Sequence, residues 1–195
     1  MDIILASQSP RRRELLGQMG LKGFKILSPE VDEHVEGNPD PASLVEQLSL
    51  RKASAVAQRA DEGDLIIAAD TVVVLDGAVL GKPAGEREAF AMLSALSGNR
   101  HHVYTGVTVL QGGRTLTAHE CTTVTFREVE PHEISSYIAT GEPMDKAGAY
   151  GIQGLGALLI QRIEGDYYNV MGLPVYRLGR MLAELGLDLL AMAAE

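Results

Sequence analysis

Two stretches of the sequence place charged side chains where packing alone would not. Asp70 interrupts the aliphatic run LIIAADTVVVL at 65–75, and the alternation of a strand puts it on the same face as Ile66 and Val72. Burying a valine there contributes about 1.5–3 kcal/mol, whereas a buried carboxylate without a partner costs several kcal/mol. Asp70 therefore either marks a strand end, where it caps a turn or pairs with a surface lysine, or takes part in chemistry.

The second stretch is the basic start of a helix. In ILASQSPRRRELL, Ser9 is a suitable N-cap and Pro10 a suitable first residue, so the three arginines that follow fall in the first turn. Cations there oppose the helix dipole, at about 0.3–1 kcal/mol each when exposed. A bound phosphate would reverse that cost. Its cradle would consist of backbone N–H groups and the side chains of Ser7, Ser9, Arg11 and Arg12. The alternative is a solvated basic helix start.

Three further charged side chains complete an inventory for phosphate chemistry. Glu33 lies in an acidic loop, and Lys82 follows the turn Asp76-Gly77 on the return arm of a predicted hairpin. Lys52 falls on the apolar side of a predicted helix from Asp40 to about Arg59, where a lysine either snorkels to solvent or reaches into a site. Carboxylates hold a metal or activate water while lysines neutralise phosphate charge, so the set suits a metal–nucleotide complex.

These residues belong to a chain in which predicted strands and helices alternate, which is typical of an α/β fold. The opening IILA is the first predicted strand. The remaining elements are strands at Phe24–Leu27, Leu65–Leu75, 101–110 and 114–129, and helices at Glu86–Leu96, after Pro131 and at Pro174–Leu185. Gly112-Gly113 predicts a turn between two of these strands.

The segment from Gly141 to Pro174 is rich in glycine. It carries neither a dinucleotide fingerprint nor a Gly-x4-Gly-Lys-Ser/Thr phosphate loop. Its glycine density indicates backbone that approaches a ligand closely. Gln153 lies in its midst, and an amide that both donates and accepts suits the edge of a nucleobase. An ordinary irregular loop is the alternative.

Composition excludes several classes of protein. The 195 residues are 46% hydrophobic and 22% charged, which is ordinary for a globular chain. Cys121 is the one cysteine, so an intrachain disulfide framework and a multi-cysteine zinc site are excluded. No apolar run approaches the ~20 residues of a membrane span, and a net charge of -9 opposes binding to nucleic acid or anionic membranes. We therefore expect a cytoplasmic protein whose anionic ligand is small.

Seven motifs occur in the order seen in the Maf-like nucleoside triphosphate pyrophosphatases, and the chain resembles that family over nearly its whole length. They are LASQSPRRRELL, EVDE, RKA, AADTVV, GKP, DKAGAYGIQG and EGDYYNVMGLP. The resemblance implies a single Maf-like domain over residues 1–195. It implies a mixed α/β fold of two lobes, with an elongated sheet, flanking helices and a central cleft, similar to the inosine-triphosphate pyrophosphatases.

The resemblance also implies an activity and roles for individual residues. The family hydrolyses a nucleoside triphosphate to the monophosphate and pyrophosphate by water attack on the α-phosphorus, with Mg²⁺ or Mn²⁺, and a homodimer is a reasonable expectation. Asp70 matches the family's proton acceptor, and the other catalytic positions match Glu33, Lys52 and Lys82. Glu33 and Asp70 are the expected metal ligands.

Three more positions match residues with which the family distinguishes bases, namely Arg11, Thr71 and Gln153. One branch, which favours dTTP and UTP, typically has Arg, Thr and Gln there. Another branch, acting on 7-methyl-GTP, has a bulkier aromatic residue and a Glu. This sequence keeps the first pattern, so the resemblance implies dTTP, UTP or modified pyrimidine nucleotides as substrates.

Two other functions stay open from the sequence. One is a nucleotide-binding regulator with little turnover, for which the resemblance implies a role in septum formation and cell division. The other is a phosphatase that releases orthophosphate instead of pyrophosphate. Pyrophosphate release with and without Mg²⁺ separates the regulator from a pyrophosphatase, and the identity of the released product separates the phosphatase.

Overall fold

The computed structural model of the chain describes residues 1–37 and 39–193. Its strands are β1 (Ile3–Ala6), β2 (Lys25–Ile26), β3 (Leu65–Leu75), β4 (Ala78–Leu80), β5 (Arg100–Gln111), β6 (Arg114–Phe126) and β7 (Ile160–Glu164). Its helices are α1 (Pro10–Gln18), α2 (Pro41–Ala57), α3 (Glu86–Leu96), α4 (Pro131–Ala139), α5 (Tyr167–Met171), α6 (Val175–Glu184) and α7 (Leu189–Ala193). Short 3₁₀ turns lie at Glu142–Asp145, Ala147–Ala149 and Gly154–Leu159.

Within the described residues, seven strands pair in one mixed sheet. The order along the sheet is β2, β1, β3, β5, β6, β7, and β4 pairs with β3. β1 runs parallel to β2 and to β3, whereas β4 is antiparallel to β3 and β7 is antiparallel to β6. The predicted mixed α/β class is therefore confirmed, and the predicted cleft stays a prediction. No helix in residues 1–37 and 39–193 combines the length and the apolar character that a membrane crossing requires.

The chain divides into two compact units. Unit 1 comprises Met1–Asp70, Thr105–Glu120 and Gly172–Glu195, and unit 2 comprises Thr71–Tyr104 and Cys121–Met171.

Unit 1 contains three parallel strands whose connections reverse direction at β1. The chain passes from β1 through α1 to β2 on one side of β1, then through α2 to β3 on the other side. Such a reversal is a topological switch point, and ligands of open α/β sheets bind outside the carboxyl ends of the strands at that point. Ala53 and Val56 of α2 form an apolar cluster with Ile4 and Ile66 of the strands, which seats α2 on the sheet.

Unit 2 has a separate apolar core around α3 and α4. Leu93 of α3, Ile134 of α4 and Phe126 of β6 are buried there. His101 lies beside Phe126 with no exposed surface, and its Nε2 is 2.7 Å from the Oη of Tyr150. Burial lowers the pKa of His101 to about 4, so the ring is a neutral core residue near pH 7.

Helix starts and tight turns follow the sequence signals. Ser9 caps α1, where its side chain accepts the N–H of Arg12, and Asp40 caps α2 in the same way. The hairpin turn at Asp76-Gly77 is confirmed, with φ values of 49° and 80° that a two-residue type I′ turn requires. α3 has the predicted bounds.

Other boundaries differ from the prediction. β2 is shorter than Phe24–Leu27, α2 ends at Ala57, and the strand predicted at 114–129 ends at Phe126. Lys82 lies beyond the end of β4, so its predicted place on the hairpin arm is wrong by two residues. The sequence does not predict β7, because its two isoleucines are three positions apart and so do not follow the alternation of a strand.

The packing of α2 on β5 gives a testable prediction. A Cβ added to Gly106 would lie 2.2 Å from the carbonyl oxygen of Val45, which is backbone and cannot rotate away. We expect Gly106→Ala to lower the free energy of unfolding by about 1–3 kcal/mol or more, measured by urea denaturation.

Gly179→Ala on α6 is the matched control. Its added Cβ meets nothing within 4 Å, and replacing a helical glycine by alanine stabilises by about 1 kcal/mol. Equal effects of the two substitutions would contradict the close approach of α2.

Candidate active site

Asp70 lies in the middle of β3 and is 7% exposed. Its Oδ1 is 2.5 Å from the Nζ of Lys52, which is 8% exposed. A buried carboxylate is tolerated when a cation and a hydrogen bond offset its lost hydration, and Lys52 supplies both. Since Asp70 is far from either end of β3 and its lysine is buried, the alternative of a strand-end residue paired at the surface is wrong.

Lys52 comes from the buried face of α2. Helical spacing puts it on the same side as Leu48 and Val56, so its stem packs in the core while its ammonium extends beyond it. Nζ also lies 2.7 Å from the Oε1 of Glu33. Lys52 therefore bridges two carboxylates. Of the two alternatives for this lysine, it reaches into the candidate site and does not snorkel to solvent.

Glu33 lies in the loop between β2 and α2, and its side chain is 63% exposed. Arg51 fixes the backbone on both sides of it, because Nη1 donates to the carbonyl oxygens of Asp32 at 2.6 Å and His34 at 2.7 Å. The residue types in the sequence do not identify Arg51 as a site residue. Its place directly before Lys52 in the RKA motif is the signal that could have found it.

The basic helix start is tied to its surroundings by hydrogen bonds. Ser7 is 5% exposed, and its Oγ accepts the N–H of Ser9 at 3.2 Å and the Nη1 of Arg12 at 3.3 Å. Arg12 is half-buried and also donates from Nε to the carbonyl oxygen of Gly172 at 2.7 Å. Arg11 beside it is half-buried too. The alternative of a wholly solvated helix start is therefore wrong for Arg12.

Strand register explains why the acid and the arginine are near each other. Ala6, the last residue of β1, pairs with Ala68 in the parallel strand β3, so the chain after β1 leaves the sheet level with the middle of β3. Burial lowers the pKa of Arg12, and the negative charges of Asp70 and Glu33 oppose that shift. The acidic pair and the basic helix start thus act on each other electrostatically at the carboxyl end of β1.

Unit 2 carries the other predicted residues. Thr71 is half-buried on β3, and because it follows Asp70 directly its side chain points to the opposite face of the strand. Gln153 is half-buried and directly precedes the 3₁₀ turn Gly154–Leu159. Tyr137 and Glu142, which residue-type reasoning missed, hydrogen-bond the segment that carries Gln153.

Lys82 is exposed in the loop after β4. The neighbouring carbonyl of Gly81 accepts the N–H of Gly148 at 3.0 Å. This bond joins the GKP and DKAGAYGIQG motifs, which are more than 60 residues apart in the sequence, within unit 2. Lys82 and Gln153 therefore stand on two segments that are attached to each other.

Glu33 and Asp70 are the predicted metal ligands, and their carboxylates lie close enough together to share one cation. Both carboxylates approach one cation, the Lys52 ammonium, at 2.7 and 2.5 Å. Among residues 1–37 and 39–193, no three His, Cys, Asp or Glu side chains form a group that could hold a metal. Mg²⁺ commonly binds one or two carboxylates together with substrate phosphates. The pair therefore suits an ion that is shared with a phosphate ligand.

Relatives of known name cover almost the whole chain. The sequence profile of the family described as Maf-like protein matches residues 2–185. A dTTP/UTP pyrophosphatase of Symbiobacterium thermophilum is 55% identical over 185 residues, which are 95% of this chain and 94% of that protein. A dTTP/UTP pyrophosphatase of Pelotomaculum thermopropionicum is 52% identical over 191 residues, which are 97% of this chain and 99% of that protein.

Solved structures are more distant. A nucleoside-triphosphatase from Mycobacterium abscessus, also described as a dITP/XTP pyrophosphatase, aligns with a TM-score of 0.45 and 16% identity over 95% of this chain and 97% of its own. The Ham1 protein of Staphylococcus aureus aligns with a TM-score of 0.47 and 14% identity over 65% of this chain and 72% of its own. Neither likeness is close enough to bear on the site.

The bridge of Lys52 gives a prediction for stability. Lys52→Met keeps the apolar stem but leaves Asp70 buried without its cation, so we expect a loss of about 3–5 kcal/mol in the free energy of unfolding. Adding Asp70→Asn to this variant removes the orphaned charge and is expected to restore part of the loss. Urea denaturation of both variants and of Asp70→Asn completes a double-mutant cycle.

Lys25→Met is the control, since Lys25 pairs with Asp2 at an exposed position where such a pair contributes little. Additive effects of Lys52→Met and Asp70→Asn in the cycle would contradict the bridge.

Proposed function

The chain belongs to the Maf-like protein family, and we propose that it hydrolyses dTTP and UTP, or modified pyrimidine nucleotides, to the monophosphate and pyrophosphate. The observation that carries the proposal is the buried Asp70–Lys52 pair lying within electrostatic reach of Arg12 at the carboxyl end of β1. A triphosphate requires positive charge to bind it and an acidic side chain that can take a proton from water. The carboxyl end of β1 brings together a carboxylate, a lysine, an arginine and a helix N-terminus.

The helix start would bind the triphosphate. The hydroxyl of Ser9 offers a donor at the start of α1, and the Ser7 hydroxyl holds the guanidinium of Arg12 in place. Arg11 on the same turn adds a second guanidinium. Because the three arginines oppose the helix dipole in the absence of an anion, phosphate binding relieves a repulsion that the fold itself creates.

Asp70 would take the proton of the attacking water. A carboxylate oriented by a hydrogen bond is suited to general base catalysis, and Lys52 provides that orientation through its Nζ. Lys52, with Lys82 as the second proposed lysine, would offset negative charge that develops on the phosphate oxygens during attack on the α-phosphorus.

Glu33 and Asp70 would hold a divalent metal ion, Mg²⁺ or Mn²⁺, together with the phosphates of the substrate. When bound, the ion supplies positive charge to the phosphate oxygens. Arg51 would keep Glu33 in place for this role, because its guanidinium bonds the backbone carbonyls on both sides of that residue. Lys52 would keep the two carboxylates from repelling each other before substrate arrives.

Arg11, Thr71 and Gln153 would select the base, with the Gln153 amide donating to and accepting from the pyrimidine edge. We place the activity in a single Maf-like domain over residues 1–195 and in the cytoplasm, and a homodimer is consistent with the family. A net charge of -9 supports a small anionic substrate rather than nucleic acid or a membrane as the partner.

The experiment that tests the proposal is an assay of the purified protein for pyrophosphate release from dTTP and UTP, with Mg²⁺ and with EDTA. We expect release only with the metal. Asp70→Asn should lower kcat by on the order of 10²–10⁴, because the amide keeps the bond to Lys52 but cannot take a proton.

Asp64→Asn is the matched control, since Asp64 is a buried acid of unit 1 whose carboxylate accepts the N–H groups of Asp2 and Asp61. Near-normal turnover by Asp70→Asn would remove that residue from the mechanism. Release of orthophosphate would favour a phosphatase, and tight binding of dTTP without turnover would favour a regulator.

The proposed role of Gln153 predicts a change in substrate choice. Gln153→Glu removes the two N–H donors of the amide, so kcat/KM for dTTP and UTP should fall at least about tenfold relative to purine triphosphates. The measurement is a competition assay over canonical triphosphates. Gln161→Glu on β7 is the control, because the same substitution there lies on an exposed strand position. An unchanged substrate profile of the Gln153 variant would count against base reading.

A further inference from the structure

Glu142 of unit 2 holds the segment that carries Gln153 through its side chain. Its Oε1 accepts the N–H of Gly156 at 3.0 Å and the Oη–H of Tyr137 at 2.9 Å, and its Oε2 accepts the N–H of Leu155 at 3.0 Å. Three donors therefore converge on one carboxylate. Two of them are backbone amides two and three residues after Gln153.

Tyr137 of α4 holds the other end of the same segment. It is 5% exposed, and its Oη accepts the N–H of Gly151 at 3.2 Å while donating to Glu142. Lys146 in turn donates from Nζ to the backbone oxygen of Glu142 and to Asp145. The backbone of the segment is therefore bonded two residues before Gln153 and two and three residues after it.

The segment is also tightly folded on itself. A Cβ on Gly156 would lie 2.2 Å from the oxygen of Gly151 and 2.7 Å from the Oη of Tyr137. A Cβ on Gly154 would lie 2.7 Å from the Oε2 of Glu142. Just before the segment, Ala149 has a left-handed φ of 58°, a conformation that persists only where the surroundings impose it.

The ionisation of these groups suits the hydrogen bonds. Burial raises the pKa of Glu142, but hydrogen bonds from Gly156, Leu155 and Tyr137 and the charge of Lys146 together outweigh it, so the net pKa lies below the usual value. Burial also raises the pKa of Tyr137, so its hydroxyl stays protonated and donates a hydrogen bond to Glu142. Near neutral pH, a charged carboxylate faces three donors, which is the stronger form of such a bond.

We propose that Glu142, with Tyr137, is a positioning residue that fixes Gln153 and thereby sets the pyrimidine preference. The inference rests on the proposed function, because it assumes that Gln153 reads the base. Glu142 acts through the backbone of its neighbours, since both its oxygens are occupied by N–H and O–H donors. An amide that discriminates bases must be held to within about 0.5 Å, and an irregular segment of glycines cannot supply that rigidity alone.

The test compares Glu142→Gln with the wild-type protein. The substitution replaces one carboxylate oxygen with an NH₂ group, which cannot accept a hydrogen bond from the N–H or O–H donor that faces it. The segment therefore loses at least one of the bonds that fix its backbone. We expect the ratio of kcat/KM for dTTP over dGTP to fall on the order of tenfold to a hundredfold, mainly through a higher KM for dTTP, while kcat stays near its wild-type value. Hydrogen exchange at the amides of Gly151, Leu155 and Gly156 should become faster.

Tyr137→Phe is the second variant, and it guards against a Glu142 variant that fails to fold. It keeps the ring in the core and removes only the hydroxyl. The ratio of kcat/KM for dTTP over dGTP should therefore fall, and amide exchange should become faster, by smaller amounts than in Glu142→Gln. Ser97→Ala is the stability control, because its Oγ bonds the N–H and the oxygen of Val129, away from the segment. This control should lower the Tm without changing the substrate ratio.

The outcomes separate this inference from the proposed function. If the wild-type protein releases no pyrophosphate from any triphosphate, the proposed function fails and the inference fails with it. If the wild-type protein is active and a folded Glu142 variant keeps the wild-type ratio of dTTP to dGTP, the inference alone is overturned. Unchanged exchange at the three amides overturns it as well.

Discussion

The bridge that Lys52 makes between Asp70 and Glu33 is the interaction on which the site in unit 1 depends. Asp70 is buried inside a strand, where a carboxylate is tolerated only if a cation offsets its lost hydration. The cation must come from another element, and α2 delivers it because the helix packs against the sheet closely enough to require glycine at position 106. The packing of α2 on the sheet therefore also determines whether Asp70 has a cation beside it. A helix that sat farther away would leave the acid without its partner.

Topology brings the proposed phosphate-binding groups close to the buried acid. Because β1 and β3 are parallel neighbours, the helix start that follows β1 lies level with the acid in β3. The reversal of connections at β1 places α1 and α2 as the elements that flank this strand end. Three arginines at a helix N-terminus are unfavourable by themselves, and the fold retains them where two carboxylates lie within electrostatic reach of Arg12. Opposite charges thus lie side by side, as the proposed metal–triphosphate ligand requires.

The two units present different kinds of polar side chain. Unit 1 offers charged side chains, which suit phosphates because their attraction is strong and tolerant of direction. Unit 2 offers Gln153, a neutral amide whose hydrogen bonds depend on direction and so on a rigid backbone. The bonds from Glu142 and Tyr137 to that backbone supply the rigidity that glycine does not.

By itself the sequence determined the features that depend on neighbouring residues. Each of these features is a local pattern that can be read without knowing the fold. They are the caps at Ser9 and Asp40, the Asp76-Gly77 turn, the bounds of α3, the acid in an aliphatic strand and the order of the family motifs. Only the tertiary structure decided which alternative Lys52 follows, that Ser7 holds Arg12, and that Arg51 and Glu142 support their neighbours. It also revealed β7, whose five residues carry too short a pattern to identify. Apart from the bond of Ser7 to Arg12, these features depend on hydrogen bonds between groups at least 13 residues apart in the chain. Such bonds leave no periodic trace in a sequence, because their energy depends on distances that folding sets.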